Sequence, residues 1–212
     1  MLHTNTVSPQ LITIATKLSG ESQLGAFRLV GGTAIALQLG HRKSVDLDFF
    51  SNETIPKRST TRIMQQLFPS CEFYVTQDSI RSEVDGVRVE LYDNWGTPFL
   101  EKPITEQEIR LATLKYLAAF KLDAIIECRE KKDYIDLHVL FEQLGAENVL
   151  GSFKRYNPNL STKSILFALG EVNIAKENKS VMPEMLKDIS WESVELSMIS
   201  AARQYLKQAG LK

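Results

Sequence analysis

Apolar residues recur along this chain with a short period at first and with a helical period later, and the elements follow from that change. From Ser8 to Gly20, "SPQLITIATKLSG" has helical spacing, with Ser8 as N-cap, Pro9 at the first helical position and Gly20 as the stop. "AFRLV" alternates like a short strand and runs into Gly31-Gly32, after which "TAIALQLG" reads as a buried helix ending at Gly40. "SVDLDFF" has the β-branched and aromatic content of a strand, "RSTTRIMQQLF" reads as a helix and "CEFYVTQ" as a further strand. Asp85-Gly86 marks a tight hairpin leading into the alternating "VRVELY". Beyond about Thr105 the patterns become long and helical: Thr113 to Arg129, Lys132 to Leu144, and shorter ones ending in "SWESVELSMISAARQYLKQ", capped by Ser190. The pattern predicts an α+β chain, with a small mixed sheet and its helices over 1–105 and a helical lobe over 106–212.

Two aspartates interrupt the apolar strand. Alternation puts Asp46 and Asp48 on one face and Val45, Leu47 and Phe49 on the opposite, buried side. Parallel carboxylates repel and raise a pKa unless a cation lies between them. A hard divalent ion, Mg2+ or Mn2+, suits such a pair, because it accepts one or two carboxylates and leaves its other positions to water and phosphate. Glu90 interrupts the apolar face of "VRVELY" and is the candidate third ligand. With it, two ions about 3.5 to 4 Å apart would activate an attacking hydroxyl and a pyrophosphate leaving group.

The remaining candidates surround that acidic edge. Gly31 and Gly32 let backbone approach a phosphate, with the N–H groups of the helix start and the Thr33 hydroxyl as donors. Ser44 either contacts a phosphate or caps the turn into the strand. Lys121, Ile125 and Arg129 recur every four residues on one predicted helix, so that Lys121 and Arg129 share a side and hold a triphosphate. Asp133 and Asp136, three apart on the next helix, orient Lys121 or position the acceptor hydroxyl, Asp136 taking the inner role. The same charges, including Lys132 with Asp136, also suit a solvated helical face. Tyr92 and Trp95 stack a base or belong to the core, and His138 packs among Tyr134, Leu137 and Phe141.

Composition narrows the setting. Hydrophobic residues at 43% and charged residues at 24% are ordinary for a packed domain, and 212 residues allow one core or two small lobes. A net charge of -1 excludes a global attraction for nucleic acid, so a polyanion needs a local cluster such as His41, Arg42 and Lys43. Cys71 and Cys128 are isolated and the three histidines lack zinc-ligand spacing. A reducing, cytoplasmic setting fits, without a signal peptide or membrane span.

"LVGG", thirteen residues and then "DLDF" resembles the signature of the polymerase-beta-like nucleotidyltransferase superfamily. "GGTAIALQLGHRKSVDLDFF" with the later "FKLDAIIECREKKDYIDL" is similar to its AbiEii/AbiGii branch of toxin and abortive-infection nucleotidyltransferases. The resemblance covers Leu29 to Ser51, Val87 to Leu91 and Ala119 to Leu140, while the final sixty or so residues match only in being helical. It implies metal bound by Asp46 and Asp48, with the third acidic position on Glu90, where the family more often has aspartate. Lys121 falls on the lysine of the "KLDA" motif, and Lys132, Asp133 and Asp136 on the last motif. It further implies that an NTP lies in a cleft between the lobes and gives its NMP to an acceptor hydroxyl, with a cognate antitoxin as partner. In related toxins the acceptor can be the 3' end of tRNA. The rival is a non-catalytic nucleotide-binding module acting through a protein partner; a small-molecule or protein hydroxyl is a further alternative acceptor.

Overall fold

A computed structural model describes residues 1–93, 98–159 and 161–208. The chain forms two compact units, Met1–Thr113 and Leu114–Lys212.

The first unit opens with α1 (Pro9–Gly20), whose Ser8 hydroxyl accepts a hydrogen bond from the Leu11 N–H at 3.2 Å. Its Leu11, Ile14, Ala15 and Leu18 are buried. β1 (Arg28–Leu29) leads directly into α2 (Gly31–Leu39), and Gly40, in the left-handed region at φ +68°, ends that helix. β2 (Asp46–Phe50), α3 (Lys57–Leu67), β3 (Tyr74–Val75), β4 (Ser79–Val84) and β5 (Val87–Tyr92) follow. A last hairpin, β6 (Ile104–Glu106) and β7 (Ile109–Leu111), carries this unit beyond the change of pattern near residue 105.

Among the described residues seven strands share one sheet in the order β3-β4-β5-β2-β1-β7-β6. β2 lies near its middle, parallel to β5 and antiparallel to β1. Leu47 and Phe49 of β2 are buried, as alternation requires. Val45 departs from the expectation: it precedes the strand and is 71% exposed, because the strand pattern begins only at Asp46. The expected "CEFYVTQ" strand shrinks to two residues at the sheet edge, and both are exposed. At the other side of the sheet Arg110 of β7 donates to the carbonyls of Phe27, Ser19 and Leu24, fastening the α1–β1 connection. Burial lowers the pKa of that guanidinium.

The second unit is helical: α4 (Leu114–Glu127), α5 (Lys131–Leu144), α6 (Ala146–Tyr156), α7 (Thr162–Gly170), α8 (Val172–Glu177) and α9 (Trp191–Gln208). Leu117, Leu122, Ile125, Leu137, Leu140, Leu150 and Phe153 are buried. The buried Tyr134 hydroxyl donates to the Ala168 carbonyl at 2.7 Å, tying α5 to α7, and burial pushes its pKa up. Ser190 accepts from the Ser193 N–H at 3.1 Å, the cap expected for the last helix. Among the described residues no helix is long and apolar enough to cross a membrane.

Candidate active site

Register fixes which side chains meet on the sheet. Asp46 lies opposite Arg88, and Asp48 opposite Glu90, across the parallel β2–β5 pair. Across the antiparallel β4–β5 pair, Arg81 lies opposite Glu90 and Glu83 opposite Arg88. Partners in register share a face, so Arg81–Glu90–Asp48 and Glu83–Arg88–Asp46 form two adjacent charged rows. The residues between them, Leu47, Ser82 and Val89, are buried on the other face.

The three expected carboxylates therefore stand on one face, each in its own environment. Asp46 is half-buried and its Oδ2 accepts from Arg88 Nη2 at 2.9 Å. Glu90 is buried and its Oε1 is paired with Arg81 Nε. Arg81 also donates to the Tyr92 hydroxyl at 3.2 Å. These contacts raise the Arg81 pKa, the Tyr92 hydrogen bond first and Glu90 next. Burial raises that of Tyr92. Tyr92 also packs edge-on against Phe50, 5.0 Å between ring centres. Among the described residues no three or more His, Cys, Asp or Glu side chains converge as a ready metal cluster. By donor chemistry, Asp46 and Asp48 fit a divalent ion that needs one or two carboxylates. Glu90, the expected third ligand, is held by Arg81 instead.

Asp48 sits at the start of α2. Gly31 has φ +68°, and a Cβ placed on it would lie 2.9 Å from Asp48 Oδ2. Glycine is thus required twice, for the left-handed backbone and for the approach of the carboxylate. Val30, the N-cap of α2, supplies no side-chain cap, so any anion at this helix start would meet backbone N–H groups. Thr33 differs from the expectation of a phosphate donor. It is buried, and its hydroxyl donates to the Asp46 carbonyl at 2.5 Å while Ser44 Oγ lies 2.8 Å away. Thr33 and Ser44 brace the turn that aims β2; a hydroxyl so bound is not presented to solvent.

The residues expected from the second motif lie in the second unit. Lys121 is buried, with its Nζ 2.5 Å from Asp133 Oδ1 and 2.9 Å from Asp136 Oδ2. Both aspartates are thus paired with the lysine, and Asp136 is fully buried. The shared helical face of Lys121 and Arg129 is not formed. α4 ends at Glu127, and Arg129 follows it at φ +48°, 3.4 Å from Glu171 and over the Phe167 ring. Lys132 pairs with Glu130 at 2.8 Å rather than with Asp136, whose carboxylate is engaged by Lys121. His138 is buried on α5, 3.6 Å from Glu142. Trp95 and Gly96 lie outside the described residues.

Arg81 and Arg88 were not singled out from the sequence. Counting back from Asp85-Gly86 places Arg81 opposite Glu90, and period two places Arg88 beside it, so the hairpin held the signal.

Residues 15–91 match the family profile "Nucleotidyl transferase AbiEii toxin, Type IV TA system", a span that holds Gly31, Asp46, Asp48 and Glu90. The chain is 29% identical over 192 residues to the uncharacterized protein aq_aa25 of Aquifex aeolicus, covering 85% of this chain and 88% of that one. Among solved structures, the nucleotidyltransferase toxin MenT4 of Mycobacterium tuberculosis covers 93% of this chain and 83% of its own, at 15% identity and TM-score 0.52. ANT(2")-Ia in complex with adenylyl-2"-tobramycin covers 72% of this chain and 99% of its own, at 14% identity and TM-score 0.55. At these identities the solved structures speak for the polymerase-beta-like fold. The likeness to the AbiEii nucleotidyltransferase family is carried by residues 15–91, and the likeness to the solved structures is one of fold.

Proposed function

We propose that this nucleotidyltransferase moves NMP from an NTP to an acceptor hydroxyl with the help of a divalent cation, Mg2+ or Mn2+, held by Asp46 and Asp48. The observation that carries the reading is the acidic face of β2 set against the glycine start of α2, with Asp48 packed on Gly31. Such a cation supplies charge neutralisation at the phosphates and lowers the pKa of an oxygen bound to it. The chain's own groups do the positioning. Backbone N–H groups at Gly32 and Thr33 receive the triphosphate at the helix start. Thr33 and Ser44 keep the carboxylates of β2 aimed.

In the transfer the acceptor oxygen forms a bond to the α-phosphorus as the α–β bridging P–O bond breaks. Pyrophosphate leaves and the proton of the acceptor hydroxyl is released. Lys121, Asp133 and Asp136 are assigned to the same reaction from their motif; the aspartates fix the lysine ammonium. Arg129 and Lys132, each already paired with a glutamate, are assigned to anion contacts.

The acceptor we favour is an RNA 3' hydroxyl, that of tRNA first, and the physiological role is that of a toxin with a cognate antitoxin, in the cytoplasm. Support comes from the description of the matching family and from the toxin named among the fold relatives. The test is incubation of the full chain with each labelled NTP, Mg2+ and total cellular RNA. Label in a tRNA-sized band, absent with Asp46→Ala, is the expected result. Incorporation of no nucleotide into any RNA overturns the RNA reading, and turnover by Asp46→Ala overturns the assignment of the acidic pair.

A further inference from the structure

The two charged rows contain four carboxylates, those of Asp46, Asp48, Glu83 and Glu90, and two guanidinium groups, those of Arg81 and Arg88. Counted over these six groups alone, the carboxylates outnumber the guanidinium groups by two. Yet the arginines occupy two of the three carboxylates expected to face a divalent cation: Arg88 is on Asp46 and Arg81 on Glu90. The partners differ in how firmly they are fixed. The arginine side chains are 52% and 62% exposed, whereas Glu90 is 9% exposed and Asp46 35%. The arginine ends are the exposed ones, and long exposed side chains re-orient cheaply, most of all Arg88, whose partner Asp46 is itself partly exposed. Arg81 keeps a second partner, the Tyr92 hydroxyl, when it leaves Glu90.

We propose that Arg81 and Arg88 are displaceable counter-ions, positioning residues that hold Glu90 and Asp46 while no divalent cation is bound, yield those oxygens to it, and then turn to the substrate phosphates. The inference rests on the reading of Asp46 and Asp48 as cation ligands, and it explains why the three carboxylates do not form a ready cluster. A guanidinium forks onto phosphate oxygens as well as onto carboxylates, so the released side chains remain paired in the loaded site. Cation and nucleotide binding then favour one another, since each takes over half of what the arginine gave up.

Mn2+ binding to the full chain, followed by the electron paramagnetic resonance of free Mn2+, tests this without any turnover. Arg88→Gln is expected to bind Mn2+ about two- to fivefold more tightly than the wild type when no nucleotide is present, the range a largely exposed ion pair supports, and Arg81→Gln, which frees a buried carboxylate, is expected to bind it more tightly as well. With a non-hydrolysable NTP analogue, the wild type is expected to gain more Mn2+ affinity than either variant. In the Asp46→Asn background Arg88→Gln should change nothing further, and likewise Arg81→Gln in the Glu90→Gln background, because each arginine acts through its carboxylate. Wild-type binding with unchanged or weaker binding in both arginine variants overturns this inference alone. No Mn2+ binding by the wild type, with or without the analogue, overturns the cation reading and this inference with it.

Discussion

Replacing Gly31 by alanine separates backbone strain from damage to the site. The residue has φ +68°, where an L side chain costs about 1–2 kcal/mol. The added Cβ would lie 2.9 Å from Asp48 Oδ2, some 0.5 Å inside ordinary contact, while the Cβ and Cγ of Asp48 are 3.7 Å away. Only the tip of the carboxylate is struck, so it turns or shifts by about that 0.5 Å. A misplacement of 1 Å at a reacting centre costs roughly a hundredfold in rate, so half of that costs about tenfold. Gly86 is the control: it has φ +78° in the β4–β5 turn and nothing within 4 Å of an added Cβ. Gly31→Ala and Gly86→Ala should therefore lose similar stability in chemical denaturation, about 1–2 kcal/mol each. Only Gly31→Ala should also lose about tenfold in pyrophosphate release at saturating NTP, with RNA as acceptor. Wild-type turnover in Gly31→Ala, or an equal loss of turnover in Gly86→Ala, refutes the close packing of Gly31 on a working Asp48.

Two further expectations concern the helical unit. Lys121→Met leaves the Asp133 and Asp136 carboxylates buried without their cation and should cost about 3–5 kcal/mol in denaturation, whereas Lys132→Met, at a partly exposed pair, should stay within about 0.5 kcal/mol; a loss below about 1 kcal/mol for Lys121→Met contradicts the buried cluster. Burial first, and Glu127 one helical turn on, raise the Asp123 pKa, so charging this group penalises the folded state as pH rises from the ordinary aspartate value through the raised one. Asp123→Asn should thus be more stable than the wild type at pH 7 by a few tenths of a kcal/mol, with the difference vanishing below about pH 3.9; an equal or less stable variant at neutral pH contradicts the sign.

The parts of the fold that sequence made legible are those whose signals are local. Ser8-Pro9 and Gly40 punctuate helices through backbone geometry that few other residues satisfy. Asp85-Gly86 sets a hairpin because both residues adopt positive φ, 48° and 78°. The β6–β7 hairpin uses the same geometry at Gln107 and Glu108, φ 49° and 63°, with no glycine to announce it in the sequence. The acidic face of β2 was legible because alternation is strict within a strand, but Val45 was misplaced because the strand starts one residue later. Spacing alone puts Arg129 on a helical face, and the end of α4 at Glu127, with Arg129 itself left-handed beyond it, cannot be read from spacing. The ion pairs of Asp46 and Glu90 depend on cross-strand register, which couples residues forty-two and nine positions apart.

The most direct measurement is a crystal soaked with Mn2+ and a non-hydrolysable NTP analogue, read by anomalous scattering. The account predicts a Mn2+ peak about 2.0–2.2 Å from oxygens of both Asp46 and Asp48, with the triphosphate at the start of α2. A triphosphate bound elsewhere, or Mn2+ bound with Asp46 still on Arg88 and Asp48 facing away from it, would contradict the account.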